Sequence, residues 1–229
     1  MSLRNNDKKI ILAGAIALTT TAAFAEPTAV LKVQGTLTNS ACSVTMSDGG
    51  VIDYGYIRLG NFSATDNNEL GEKSLPVTIN CDVATKLGFR MQDNQADSNS
   101  NIAVPVRGGT ASPGSASYYN YGIGKTTDGV NIGNYALWIS NSVADGNNVD
   151  NILRHNDWSS NHPWAKTDSP RSDGFSLSTV AATGTLEPIA FTTYTFDINI
   201  NTMIKETSTL AITDDTPIDG QATMTLVYL

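Results

Sequence analysis

Short runs of alternating apolar and polar residues, separated by turn residues, dominate the chain from about residue 29 to its end. Period-two alternation places successive side chains on opposite faces of a strand, and Asp-Gly pairs between such runs are typical of tight turns. Helical periodicity is nearly absent. We therefore predict an all-β fold, with strands at 29–37, 43–46, 51–56, 75–81, 86–91, 118–124, 134–140, 175–181, 189–200, 210–213 and 221–229.

The middle of the chain, from about 93 to 183, differs in character from its two ends. It contains polar stretches and a Gly/Ser/Ala-rich stretch, with strand-like runs between them. Long loops in compact domains are commonly functional or mobile. We interpret 93–183 as an enlarged insertion within a single β domain over 26–229, because no linker divides that range.

The first 25 residues have the pattern of an export signal. Arg4, Lys8 and Lys9 precede an apolar run over 10–18, and the small residues at 23–25 fit a cleavage site. The apolar run is too short to span a bilayer, so we expect no membrane insertion after cleavage. We predict a signal peptide over 1–25 and a location in the periplasm, at the surface of a Gram-negative cell, or both.

Export changes how the cysteines and the charge are interpreted. The only two cysteines, Cys42 and Cys81, are expected to form one structural disulfide, because oxidising compartments favour such pairs. Closing a loop of this length should stabilise the fold by roughly 4 kcal/mol. Without the leader the net charge is about −10. An acidic chain with no basic cluster argues against nucleic acid and anionic membranes as partners.

Both ends of the predicted domain resemble a known class of protein. The glycine and apolar pattern over 33–42, the later Leu59-Gly60 and the alternating run into Cys81 resemble the N-terminal half of chaperone–usher pilins. Gly220 and the alternating strand up to Tyr228 resemble their C-terminal half. Within that superfamily, the chain is most similar to a secreted enterobacterial family of unknown function that is associated with fimbriae.

The resemblance implies a pilin-type, immunoglobulin-like β-sandwich that lacks its last strand. A periplasmic chaperone, and then another fimbrial subunit, would supply the missing strand by β-strand addition. Ala222, Met224, Leu226 and Tyr228 would form the edge of the acceptor groove. The disulfide would hold the first strand in place. The implied function is that of a fimbrial subunit in pilus assembly and cell adhesion.

The chain departs from polymerising pilins at its predicted mature start. Only residues 26–28 precede the first predicted strand, which is about 10 Å of extended chain at roughly 3.3 Å per residue. Filling a strand groove takes roughly 17–20 Å. This predicts a tip or minor component that accepts a strand. The alternative is a self-complete, soluble periplasmic binding protein with carbohydrate as its ligand.

Aromatic and polar residues of the middle region form a candidate ligand surface. Trp158, Trp164, Tyr119 and Asp157 combine flat apolar faces with a carboxylate that could orient a sugar hydroxyl. A host glycan would be the partner of such a surface. Core packing explains a single aromatic residue more often, so both interpretations stay open.

Catalytic and metal chemistry have little support in the sequence. His155, Asp157 and His162 share a loop, but no fourth ligand accompanies them, and a turn explains Asp214 and Asp215. No Gly-x-Ser-x-Gly motif is present. We therefore expect no metal, no cofactor and no enzymatic activity.

Overall fold

The computed structural model of the protein describes residues 41–107, 109–111, 114–155 and 163–229. The predicted signal peptide over 1–25 and the predicted strand over 29–37 lie outside the described residues. The prediction of a single domain over 26–229 likewise stays a prediction.

The described chain is mostly β, as the alternation predicts, with one α-helix of a single turn. Its strands are β1 Cys42–Met46, β2 Asn68–Asp93, β3 Val104–Val106, β4 Gly109–Ala111, β5 Asn120–Gly122, β6 Gly133–Ala144, β7 Asn147–His155, β8 Ala165–Lys166, β9 Ser176–Ala182, β10 Ala190–Ile204 and β11 Ala222–Tyr228, and the helix is α1 Thr207–Leu210.

The 26-residue strand β2 organises the fold. Its first part pairs with β10 along one edge and, over 77–81, with β1 along the other. Its last part, 87–93, pairs with β11 along one edge and touches β9 at Phe89 along the other. Each half of β2 therefore has a neighbouring strand on each of its two edges.

The antiparallel pairings close into a five-stranded barrel with extra strands. The ring runs from β6 to β10, β2, β9 and β7, and the short pairing of β7 with β6 closes it. β1, β5, β8 and β11 extend the ring, while β3 and β4 form a separate two-stranded hairpin. The middle region 93–183 supplies β6, β7 and β9, which are three of the five ring strands.

Two of the predicted strands are not strands in the structure, and two others form parts of one longer strand. The predicted strands at 75–81 and 86–91 are one strand, because β2 passes from one set of neighbours to the other without a break. The stretch predicted as a strand at 51–56 pairs with no other described strand. The predicted strand at 210–213 is absent, since α1 ends at Leu210 and unpaired chain follows it.

Aromatic residues on β2 and β10 fill the centre of the ring. The rings of Phe89 and Phe196 stack at 5.7 Å, and those of Phe196 and Tyr194 stack at 4.6 Å. The buried Tyr194 hydroxyl donates to the Asn151 side-chain oxygen at 2.8 Å and lies 3.1 Å from the Ser142 hydroxyl. The buried Tyr194 hydroxyl thus has hydrogen-bond partners within the core.

A smaller cluster lies on the outer side of β6 and β10, beneath the β3–β4 hairpin. It contains Val104, Ala136 and Met203. The buried Asn134 side chain ties the hairpin down, because it accepts from the backbone N–H of Ile102 and donates to the same residue's carbonyl oxygen. The Asn134 side chain thereby satisfies the backbone N–H and carbonyl groups of Ile102, as a neighbouring strand would.

Candidate functional site

The last strand, β11, has one described neighbour, the end of β2. Ala222, Met224 and Leu226 are half-buried and pack on the core, while the threonines between them are exposed. Tyr228 is 56% exposed, and its hydroxyl accepts a hydrogen bond from the backbone N–H of Cys42 at 3.0 Å. Three of the four predicted groove-edge residues therefore share the inward face, and the fourth contacts β1.

The first described strand, β1, forms a second edge. Its five residues lie in register with the stretch 77–81 of β2, with Cys42 directly opposite Cys81. These two cysteines form the predicted disulfide, which is confirmed. Cys42, Val44 and Met46 are half-buried and pack on the same core as β11. The disulfide thus covalently holds an edge strand to the central strand.

Both edges lie on the same side of β2. The backbone N–H of Asp82 donates to the carbonyl oxygen of Ala41 at 3.4 Å. The backbone N–H of Leu229 donates to the backbone carbonyl oxygen of Lys86 at 3.0 Å. The end of β11 and the start of β1 are therefore neighbours along β2. The opposite side of β2 is taken by β9 and β10.

The core is incompletely covered along this side. Val44 lies opposite Ile79, which is 1% exposed, and Leu226 lies opposite Phe89, which is 2% exposed. In both pairs the β2 residue is fully buried and its edge-strand partner is only half-buried. Within the part of the chain that the structure describes, no further strand pairs with the outer edge of β1 or of β11.

A cleft of about 450 Å³ lies between the chain segment that follows β1 and the segment that precedes β11. One wall is the extended stretch 52–59, which follows β1, and the other is 210–218, which leads into β11. The buried side chains of Ile132, Ile204 and Leu210 line the cleft between the two walls. The cleft is therefore an apolar opening into the core near the beginning of β11.

The rim of the cleft is acidic. Asp53, Asp214 and Asp215 line it and are exposed, and its lining residues include no lysine or arginine. Tyr54 on the same wall is half-buried, and its hydroxyl donates to the carbonyl oxygen of Gly71 at 2.8 Å. Burial raises the pKa of the Tyr54 hydroxyl, although a hydrogen bond with a threonine of β10 opposes that shift. At neutral pH the cleft thus combines an apolar floor with negative charge at its mouth.

The predicted ligand surface is only partly within the described residues. Trp158 and Asp157 lie outside them. Trp164 and Tyr119 are described, and both are half-buried. Burial, together with the neighbouring Tyr118, raises the pKa of the Tyr119 hydroxyl.

Two described aromatic rings of this region, Trp164 and Tyr118, have cationic partners. The Arg154 guanidinium lies 4.8 Å from the centre of the Trp164 ring, and that of Arg171 lies 3.8 Å from the Tyr118 ring. Arg171 also forms an ion pair with Asp173, which lies beside it in the chain. One face of each ring is therefore occupied by a guanidinium, which leaves less aromatic surface for stacking on a sugar.

The histidine pair singled out in the sequence is only partly within the described residues. His155 ends β7 and lies 6.1 Å from the Phe175 ring, whereas His162 lies outside the described residues. The described residues contain no group of three His, Cys, Asp or Glu side chains placed to hold a metal ion. None of the described helices has the length and apolar character needed to cross a membrane.

A buried carboxylate that sequence reasoning missed has a structural role. Asp93 is 5% exposed and accepts hydrogen bonds from the backbone N–H groups of Gly122 and Gln95, each at 2.8 Å. Desolvation raises the pKa of Asp93, and these two hydrogen bonds oppose the shift. The carboxylate fastens the end of β2 to β5. Its position after an alternating strand gives no signal that distinguishes it from a turn residue.

The cleft residues were also missed by sequence reasoning. Ile204, Leu210 and Ile218 come from three separate elements, and only the fold brings them together. The available signal was the alternation around Ile52 and Tyr54, which correctly predicts an inward face but not the missing strand partner.

Comparison with known proteins places the chain near a family without an assigned role. Residues 31–136 match the family described as "Protein of unknown function (DUF1120)". This range includes β1, β2 and the beginning of β6. It agrees with the part of the sequence-based resemblance that pointed to a family of unknown function.

Two proteins of Escherichia coli (strain K12) are similar to the chain. "Uncharacterized protein YhcF" is 29% identical over 152 residues, which cover 62% of this chain and 63% of that protein. "Protein GltF" is 24% identical over 225 residues, which cover 87% of each chain. The YhcF alignment thus spans slightly less than two thirds of that relative, and that with GltF spans most of both chains.

Proposed function

We propose that this protein accepts a β-strand from another polypeptide along the outer edge of β11. It would do so as an exported, fimbria-like subunit, in a tip or minor position, that takes part in pilus assembly and adhesion. The observation that carries the proposal is the pair of edges, β1 and β11, on one side of β2. Both present half-buried apolar residues, and in the described chain neither pairs with a further strand.

The strand pairings support a pilin-type, immunoglobulin-like sandwich as the finer description of the fold. One group contains β1, the first part of β2, β10, β6 and β5, and the other contains β11, the end of β2, β9, β7 and β8. A strand placed between β1 and β11 would close the open side between the two groups. It would hydrogen-bond to the free backbone edge of β11, and its alternate side chains would cover Met224 and Leu226.

The partners of this reaction would be a periplasmic chaperone and then another fimbrial subunit. Each would present an extended segment with alternating apolar residues. The disulfide supports this interpretation, because it fixes β1 as the second wall of the groove regardless of whether the groove is filled.

The experiment is urea unfolding of the protein purified after export, with and without a nine-residue peptide that has apolar residues at alternate positions. The peptide should raise the unfolding midpoint, and at 100 times its Kd it should add about 2.7 kcal/mol to the free energy of unfolding. A peptide of the same composition without alternation serves as the control. Equal midpoints with and without the alternating peptide would contradict the proposal.

Two variants of β11 locate the binding edge. Met224→Lys places a charge on the inward face and should abolish the stabilisation by the peptide. Thr225→Lys places the same charge on the exposed face and should leave that stabilisation intact. If both variants respond to the peptide like the unmodified protein, the peptide binds elsewhere.

The second candidate is a self-complete, soluble periplasmic binding protein. The observation that favours it is the 450 Å³ cleft, whose volume falls within the usual range of small-molecule sites. A protein of that kind would unfold cooperatively alone and ignore the strand peptide. It would instead be stabilised by a small ligand bound in the cleft, and sugars would be screened for that stabilisation.

A further inference from the structure

The cleft at the beginning of β11 combines an apolar interior with uncompensated negative charge. Asp53 comes from one wall, and Asp214 and Asp215 come from the other. None of the three has an ion pair among the described residues. The ammonium of Lys73 lies 5.5 Å from the centre of the Tyr54 ring, but Lys73 is not among the residues that line the cleft.

The interior of the cleft has the dimensions and chemistry for a bulky apolar side chain. The buried residues Ile132, Ile204 and Leu210 are 2–3% exposed, and Ile212 and Ile218 are half-buried beside them. Only residues 219–221 separate this wall from β11. Three residues of extended chain span about 10 Å, so a strand lying along β11 would reach the cleft with one end.

The two ends of the proposed groove differ in charge. At the cleft end the three carboxylates are exposed and form no described ion pair, and Arg58 is the one cationic side chain within the two walls, 52–59 and 210–218. At the other end, where β11 finishes, Lys86 and Glu187 form an exposed pair at 3.5 Å. The Asp82 carboxylate, which accepts from the backbone N–H of Ala41, also lies near that end. A cationic residue on an incoming strand would therefore be attracted more strongly at the cleft end, where three carboxylates face one guanidinium.

We infer that the cleft selects a partner strand whose terminal apolar anchor is flanked by a lysine or arginine. This inference rests on the proposed strand-acceptor function and names the chemistry of the partner. The apolar anchor enters the cleft between Ile212 and Tyr54, and the cation lies against the carboxylates at the rim. Charge at a rim mainly affects the association rate, the salt dependence and the direction in which a segment docks.

The test uses fluorescein-labelled peptides of nine residues that share one alternating apolar pattern. Lysine stands at the first or the ninth position, and matched peptides carry glutamate there. Affinity is measured by fluorescence anisotropy at about 50 mM and at about 500 mM NaCl, because salt screens exposed charges beyond roughly 3–10 Å.

The peptide with lysine at one of these two positions should bind about three- to tenfold more tightly at low salt than the peptide with glutamate at the same position. This is the range expected for one or two exposed ion pairs. The difference should shrink at high salt. It should also shrink in Asp215→Asn but persist in Glu187→Gln, which removes the same charge from the opposite end of β11. The other placement of lysine should bring little gain.

The outcomes separate this inference from the function on which it rests. If no alternating peptide binds, both fail. If lysine and glutamate peptides bind equally, or if lysine helps equally at both ends, the protein accepts strands but the cleft does not select a cation. An equal gain from lysine at both ends would show a general attraction of cationic peptides to an acidic protein.

Discussion

Removal of the Cys42–Cys81 disulfide should lower the free energy of unfolding by about 4 kcal/mol. The bond joins residues separated by 39 positions, and the entropy of closing a loop of that size in the unfolded chain corresponds to about 4 kcal/mol at 25 °C. The change is Cys42→Ser combined with Cys81→Ser. The five backbone pairs of β1 with β2 do not depend on the bond, so the variant should still fold.

The assay is urea unfolding at neutral pH under oxidising conditions. With a slope of about 2 kcal/mol per M, a loss of about 4 kcal/mol moves the midpoint down by about 2 M. The midpoint of thermal unfolding should fall by about 8–16 °C for a domain of this size. The unmodified protein in the presence of a reductant should match the double variant, which controls for the effect of the serines.

Two results would refute this reasoning. A midpoint that changes by less than about 0.5 M would show that the bond adds little constraint to the unfolded chain, or that local order already restricts the loop. A reduced protein that is much more stable than the double variant would assign the loss to packing. Cys42 and Cys81 are both half-buried against the core, so serine at these positions has a packing cost of its own.

Three further predictions concern hydrogen-bonded carboxylates, a buried hydroxyl and a close backbone approach. Asp93→Asn and Asp145→Asn should have opposite effects on the pH dependence of the free energy of unfolding. Burial raises the pKa of Asp93, so this group makes stability fall as pH rises from about 4 through its folded pKa, and Asp93→Asn should remove that fall. Hydrogen bonds from a threonine hydroxyl and backbone N–H groups of β10 lower the pKa of Asp145, so its stabilisation is present above about pH 4 and is lost as pH falls through the lowered value. Urea unfolding between pH 3 and 7 checks both, and parallel pH profiles for the two variants would contradict the assignment. Tyr194→Phe should cost about 1–2 kcal/mol in urea unfolding, because the part-buried Asn151 oxygen loses the nearer of its two donors, the other being the Ser142 hydroxyl; an unchanged midpoint would show that water replaces the hydroxyl. Gly133→Ala should cost about 3 kcal/mol or more, because a Cβ there would lie 2.0 Å from a β10 carbonyl oxygen; a soluble variant with an unchanged urea midpoint would show that the backbone yields.

Alternation predicts the strands of this protein well where one face is buried. The run 221–229 alternates up to Leu226, and β11 occupies nearly the same range. The disulfide is predictable for a different reason, since a chain with an export-signal pattern and two cysteines has one possible pairing. Neither argument needs information about distant parts of the chain.

Sequence reasoning fails where tertiary contacts decide the local structure. The four-residue helix α1 is far too short to be stable by itself, and Leu210 at its end is held by burial in the core. β2 continues through residues 82–84 at a register shift, where its pairing with β10 passes from Asn80 opposite Thr193 to Thr85 opposite Phe191 and leaves 82–84 without a β10 partner. No pattern within residues 82–85 encodes this register shift.

The candidate site is intermediate between these cases. Alternation correctly identifies which side of β11 faces the core and predicts an inward face at Ile52 and Tyr54. It cannot show that β1, β11 and the stretch 52–59 lie on one side of the same strand, because that depends on the pairings of β2. It also cannot show the acidic rim, because Asp53 and Asp214 are 161 positions apart.

An exposed sheet edge is normally a liability, and natural proteins protect it with short strands, charge or a covering segment. Here the two edges are short, with five and seven residues, but their inward residues open onto the core. The carboxylates lie at the cleft and leave the β11 edge itself without a described charged side chain. Carboxylates at one end and an unpaired backbone edge along β11 do little to prevent pairing with another strand. Under the proposed selection by charge, they favour one orientation of that strand. This is the combination expected of an edge that is used for recognition, and it is why strand acceptance and selection by charge belong to the same proposal.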